Sequence, residues 1–218
     1  GQGVLVGGSA DGNIDLGLGE IQHPGGTTLA WLALYGADGT PVWTQLYTQP
    51  AGGYSQTFDV AFDVSGNVIA DGRLFGPIDI GTGTVQTAQG IFVAKLDAAG
   101  NPLKAKAIAG ADSSTLAPAP NGNVYLGGLF NGPLDAGSGS TSPIAQPDAY
   151  VLELDGDLNL LWSLPFGTTG WDVISDLELD SQGALDAYGI FSQTVTFQGC
   201  KPLVSAGESD LILMQLVP

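Results

Sequence analysis

Basic residues are scarce. Lys and Arg number 5 against 22 Asp and Glu, a formal net charge of −17 at pH 7. The five are Arg73, Lys95, Lys104, Lys106 and Lys201. Nucleic acids and anionic membrane surfaces both attract clustered Lys and Arg, so this balance argues against either partner. Cys200 is the only cysteine, which excludes an intrachain disulfide and a Cys-based metal cluster. His23 is the only histidine, within Gln22-His23-Pro24-Gly25-Gly26, and reads as a surface-loop residue. A zinc site built on several His or Cys has too few ligands here, and a Ser-His-Asp triad lacks the Gly-x-Ser-x-Gly elbow. No apolar run approaches 18 residues, so no transmembrane helix is expected. Charged residues are only 12%, and 4 of the 22 acids are Glu, which excludes a coiled coil and an ordinary helical bundle. The chain opens Gly1-Gln2-Gly3 and at once enters Val4-Leu5-Val6, which reads as a processed product compatible with secretion.

What is abundant is turn chemistry. There are 34 Gly, 13 Pro and 18 Asp among 218 residues, with 44% hydrophobic residues to build a core. Asp and Gly favour turns, because Asp bonds nearby backbone and Gly tolerates positive φ. An internal repeat organises them. Asn67-Val68-Ile69-Ala70-Asp71-Gly72-Arg73-Leu74-Phe75-Gly76-Pro77-Ile78-Asp79 matches Asn123 to Asp135 without a gap. Weaker copies run from Gly3 to Asp15 and from Ala184 to Thr196. A second apolar block follows each copy: Leu29 to Leu34, Ile91 to Asp97, Ala149 to Asp155 and Leu211 to Leu216. Asp15, Asp79, Asp135 and Thr196 step by 64, 56 and 61 residues, giving repeats at about 1–50, 51–110, 111–167 and 168–218. Asp15, Asp79 and Asp135 read as turn or strand-end residues.

Each full repeat predicts four strands: A (Phe58 to Asp63), B (Asn67 to Leu74), C (Ile91 to Asp97) and D (Leu103 to Ala109). Pro118 and Pro120 are expected to disturb strand A of the third repeat. Four antiparallel strands per repeated unit is the pattern of a β-propeller blade. Phe92-Val93-Ala94-Lys95-Leu96-Asp97-Ala98-Ala99-Gly100-Asn101-Pro102-Leu103 resembles the signature of the SBBP-type bacterial β-propeller repeat family. Asp59 to Val68, Asn121 to Gly128 and Trp171-Asp172-Val173 resemble other parts of it. The resemblance implies an extracellular or cell-surface bacterial module without general enzymatic activity. Lys104 departs from the position held by Trp43 and Trp162, and four repeats are fewer than the family's usual ring.

The expectation is an all-β propeller, or propeller segment, of four four-stranded blades in a single domain. The first blade lacks strand A and the last lacks strand D, and such open edges invite partner strands. Three arrangements fit: a segment of a longer propeller, a ring completed by a protein partner or a second copy, and a self-closed ring.

Candidate sites are few. Asp11-Gly12-Asn13-Ile14-Asp15 places oxygen side chains at alternate positions, so Asp11, Asn13 and Asp15 form a candidate calcium loop, although the EF-hand glycine and glutamate are absent. Asp172, Asp176, Glu178 and Asp180 alternate with apolar residues, so a regular strand would put all four on one face. Asp59 aligns with Asp176, and in a propeller both would line the channel. Such carboxylates suit a cation, or glycoside hydrolysis. Trp171 and Tyr54 precede strand A on expected loops and are the sugar-stacking candidates. Trp43 and Trp162 read as packing residues, and Cys200 as an idle loop thiol. The functional expectation is a non-catalytic protein-interaction or assembly module. The alternatives are a lectin-like propeller and a hydrolase or lyase using Asp59, Asp176 and Glu178. No cofactor is expected beyond possible calcium.

Overall fold

The computed structural model describes residues 3–23, 25–49, 53–145 and 147–216. Among them every regular element is a strand and every strand pairing is antiparallel, apart from one isolated parallel bridge between Thr28 and Tyr54. The strand orders are linear, and no sheet closes on itself. The chain divides into two compact units, Gly1–Ala107 and Ile108–Pro218.

In the first unit, β1 (Val4–Ala10), β4 (Leu29–Tyr35) and β5 (Pro41–Leu46) form a three-stranded sheet in the order β1-β4-β5. A short hairpin of β2 (Ile14–Asp15) and β3 (Glu20–Ile21) extends from it. The second repeat contributes β6 (Tyr54–Phe62), β7 (Val68–Asp79) and β8 (Thr84–Leu96). Leu5, Ala30, Leu32, Leu34 and Trp43 of the first sheet share a core with Val68, Ala70, Leu74, Phe92 and Leu96 of the second. Burying one such Leu or Phe side chain stabilises by about 1.5–3 kcal/mol.

β9 (Pro102–Pro118) spans the division between the units, and from Ala109 onward it pairs with β10 (Val124–Asp135). Strands D of the second repeat and A of the third are therefore one continuous strand. This corrects the expectation that Pro118 and Pro120 disturb strand A. Strand A runs up to the first of the two prolines. Pro118 is its last residue, opposite Val124, and Pro120 sits in the following turn, where no ladder N–H is needed. β11 (Asp148–Leu154) and β12 (Leu160–Phe166) complete this repeat. The last repeat is the sheet of β13 (Val173–Leu179), β14 (Leu185–Val195) and β15 (Leu203–Leu216), in that order. Ala149, Val151 and Phe166 share a core with Ile174, Leu177, Ala187 and Ile212.

The two units use the same packing. Gly7 and Gly127 occupy equivalent positions of their repeats. A Cβ at Gly7 would meet Thr57 Cγ2 at 2.5 Å, and one at Gly127 would meet Ile174 Cγ2 at 2.6 Å. Thr57 and Ile174 are themselves equivalent, so within each unit one repeat presses the same face against the same position of the next.

Recurrent turns set the strand ends. Asp63 Oδ1 accepts the N–H of Ser65 and Asn67 at 2.9 and 2.8 Å, and its Oδ2 accepts Asn67 Nδ2. Asp97 and Asp155 repeat the pattern with Asn101 and Asn159. A second turn follows strand B: the Oδ1 atoms of Asp15, Asp79 and Asp135 accept the N–H of Gly17, Gly81 and Gly137 at 2.7–2.8 Å. These aspartates are thus turn residues. The B and C strands run out to meet that turn, as β7 and β8 do at Asp79 and Thr84, and so exceed the lengths expected from the apolar runs.

Candidate functional site

The acids of the last repeat do not share one face. A bulge at Ser175 lies between the Ile174–Gly189 and Asp176–Tyr188 pairs, and it reverses the alternation along β13. Asp172 is therefore fully buried, where its Oδ2 accepts Thr168 N and Oγ1 at 2.7 and 2.9 Å and its Oδ1 accepts Ser192 N at 2.9 Å. Asp176 and Glu178 lie on the exposed side. Asp180 belongs to the next turn, accepting Gln182 N and Ala184 N.

Asp59 has the local geometry of Asp176. A bulge at Phe58 precedes it, and each acid's Oδ1 accepts the next residue's N–H, Val60 N at 2.8 Å and Leu177 N at 2.9 Å. Asp59 N–H donates to Asp71 Oδ1 at 3.2 Å. Asp59 lies in the first unit, Asp176 and Glu178 in the second.

Of the two aromatic candidates, Trp171 stands exposed on the loop before β13, where its carbonyl accepts Ser192 Oγ. Tyr54 is not a loop residue: it begins β6 opposite Phe75, meets that ring edge-on at 6.0 Å, and donates its hydroxyl to Gln56 Oε1.

One side-chain oxygen of each calcium candidate accepts separate backbone bonds. Asp11 Oδ1 accepts Gly26 N at 2.8 Å, Asn13 Oδ1 accepts His23 N at 2.9 Å, and Asp15 Oδ1 accepts Gly17 N and Gly19 N. Among the described residues, no group of three His, Cys, Asp or Glu could hold a metal ion. His23 is buried rather than surface-exposed, because Asn13 and the Thr27 carbonyl take up its polar groups. Cys200 is an exposed free thiol.

Two surface features of the last repeat escaped the sequence reading of sites. The first is an apolar cleft of about 600 Å³ beside β15, lined by Leu164, Phe166, Phe197, Leu203, Met214 and Leu216. β15 is an edge strand of 14 residues with no further strand beside it among the described residues. In the first unit, strand D carries Trp43, whose indole N–H donates to Ala98 O in the C–D turn of the neighbouring repeat. Among the described residues the last sheet holds β13, β14 and β15, with no counterpart of that C–D turn beside Trp162. Trp162 packs instead on Tyr125, with ring centroids 6.1 Å apart.

The second feature is the outer face of the last sheet. Strand register makes Leu32, Val93, Val151 and Leu213 equivalent, because they pair with the equivalent residues Gly7, Asp71, Gly127 and Tyr188. Leu32, Val93 and Val151 are fully buried, whereas Leu213 is 74% exposed. Ala30, Ile91 and Ala149 are likewise buried, whereas their counterpart Leu211 is 65% exposed. Asp176 shares the cross-strand row of Tyr188 and Leu213, and Glu178 and Asp186 occupy the next row on the same face with Gln215.

No family model matches the chain, and no curated protein does.

Proposed function

We propose that the chain is a propeller-type interaction module that takes an extended strand from a protein partner at the edge of its last repeat. The observation that carries this reading is the unpaired edge of β15 beside the apolar cleft. An exposed edge offers a row of backbone N–H and C=O groups, and an adjoining apolar groove selects alternate side chains. The internal repeat specifies the occupant. Strand D of the third repeat, Leu160-Leu161-Trp162-Ser163-Leu164-Pro165-Phe166, turns Trp162, Leu164 and Phe166 towards its core. A partner strand of that alternation would complete the last sheet in the same manner. The proposed role is non-catalytic and cofactor-free, and the resemblance to surface-protein repeats suits an extracellular setting.

A fluorescein-labelled peptide with the sequence of residues 157–166 tests the reading by anisotropy against the intact chain. Binding at micromolar concentration, lost on scrambling the peptide, is expected. No difference between the native and scrambled peptides would refute it.

A further inference from the structure

We infer that a polar cleft between the third and last repeats binds an alkylammonium group, with the Glu153 carboxylate as its counter-ion. The cleft shares no residue with the one beside β15, so the inference does not rest on strand acceptance.

The cleft measures about 450 Å³, and its lining residues all fall between positions 119 and 183, within the second unit. Tyr125 and Glu153, a cross-strand pair of β10 and β11, both line it and are both buried. Ala119 and Pro120, from the turn after β9, and Leu179, at the end of β13, supply apolar wall.

The internal repeat shows what this place holds elsewhere. In the first repeat the pair equivalent to Tyr125–Glu153 is Leu5–Leu34. Those leucines share one apolar core with Phe62, the counterpart of Leu179. In the second repeat the pair is Ile69–Lys95, and the Lys95 ammonium lies 3.2 Å from Asp63 Oδ2. Asp63 opens the A–B turn, and its counterpart in the third repeat is Ala119. The third repeat therefore carries an acid where the second carries a base, and a methyl group where the second carries the acid.

Glu153 accepts Asn123 Nδ2 at 2.6 Å and the Tyr125 hydroxyl. Both donors are neutral, so neither cancels its charge. A buried carboxylate without a counter-charge is costly, and a cation entering the cleft relieves that cost. An ammonium brings the charge together with three N–H donors, and its alkyl stem suits the Ala119, Pro120 and Leu179 wall. Among the described residues no group of three His, Cys, Asp or Glu could hold a metal ion, which favours an organic cation over a bare one.

Titration of the intact chain with n-butylammonium, followed by amide NMR, tests the inference. Saturable shifts are expected at residues 119–125 and 179–183, with none from butanol. Glu153→Gln should weaken the binding about tenfold or more, the worth of one charge-assisted bond. That variant alters the net charge of −17 by a single unit, so such a loss reports the site and not the general pull of an acidic chain. Ala119→Asp combined with Glu153→Lys recreates the Asp63–Lys95 pair, and should give a folded chain blind to the amine. A blocked Gly-Lys-Gly tripeptide distinguishes the source of the ammonium. Tighter binding than butylammonium assigns the site to a partner's lysine side chain, and weaker binding assigns it to a free amine. Shifts scattered over the acidic surface without saturation would overturn the inference, as would binding unchanged in Glu153→Gln or in the double variant. Binding of the 157–166 peptide in that case would leave strand acceptance standing.

Discussion

Asp148 is a buried acid of the second unit whose surroundings oppose its ionisation. Its Oδ2 accepts Ile144 N–H, and its Oδ1 has no hydrogen-bond partner. Burial pushes its pKa up, and the Asp172 carboxylate adds to the rise. A carboxyl whose pKa is raised on folding favours the native state while protonated. That contribution is present below the unfolded value near 3.8 and is lost as pH climbs through the folded value. Asp148→Asn should therefore raise the melting temperature at pH 7, and the gain should vanish below about pH 4. Asp63 behaves oppositely. Burial works against its ionisation, but bonds from Asn67, Lys95 and Ser65 outweigh it and hold the pKa below the usual range. Its stabilisation is present above pH 4 and lost on acidification through its folded value. Asp63→Ala should cost about 1–3 kcal/mol in urea unfolding at pH 7, because it removes several buried acceptances at once. Asp63 and its turn are legible in the spacing of Asp, Gly and Asn. Asp148 is not, since nothing local to Asp148 announces a buried acid whose neighbour, Asp172, is 24 residues away. Leu158 is a related case: it holds φ of 64° where the equivalent turns have Gly, so the sequence understates that turn.

At the scale of strands, close approach between neighbours explains which glycines the repeat retains. Gly128 sits on β10 with Ser113 O only 1.9 Å from where a Cβ would stand, and Gly72 faces Gln56 O at the same distance. Gly128→Ala should lower the urea midpoint by an amount equivalent to about 1–3 kcal/mol or more, because backbone must move to admit the methyl group. The gapless match of Asn67 to Asp79 with Asn123 to Asp135 made strands B readable, since both copies carry the same apolar alternation and turn residues. The bulges at Phe58 and Ser175 were not readable. A bulge is an agreement between two strands about which residue goes unpaired, and one strand's composition does not record it. That is why Asp172 and Asp176 were expected on one face and occur on opposite ones. The loops before strand A were misread in part for the same reason, since Tyr54 is held in β6 by its pairing with Phe75.

For the whole molecule, net charge governs how copies meet. With 22 acids against 5 bases, two copies repel at long range. Salt screens that repulsion, with a Debye length of about 10 Å at 0.1 M. Any contact between copies should therefore strengthen from 20 mM to 500 mM NaCl in sedimentation, the reverse of a contact held by opposite charges. Chelator should leave the melting temperature unchanged, since backbone N–H groups already engage the carboxylate and amide oxygens of Asp11, Asn13 and Asp15; a drop on adding EDTA would reveal a bound cation. The sequence by itself determined the all-β class, the repeat, the turn aspartates and the three-stranded end sheets, because these follow from local periodicity and short-range backbone bonding. Only the tertiary structure decided that Asp172 is buried while Asp176 is not, that β9 serves two repeats, and that Leu211 and Leu213 lie open where their equivalents are covered. Those outcomes depend on which face of a sheet meets another. Residues with the same local pattern, such as Val151 and Leu213, take opposite environments when one has a neighbouring sheet over it and the other does not.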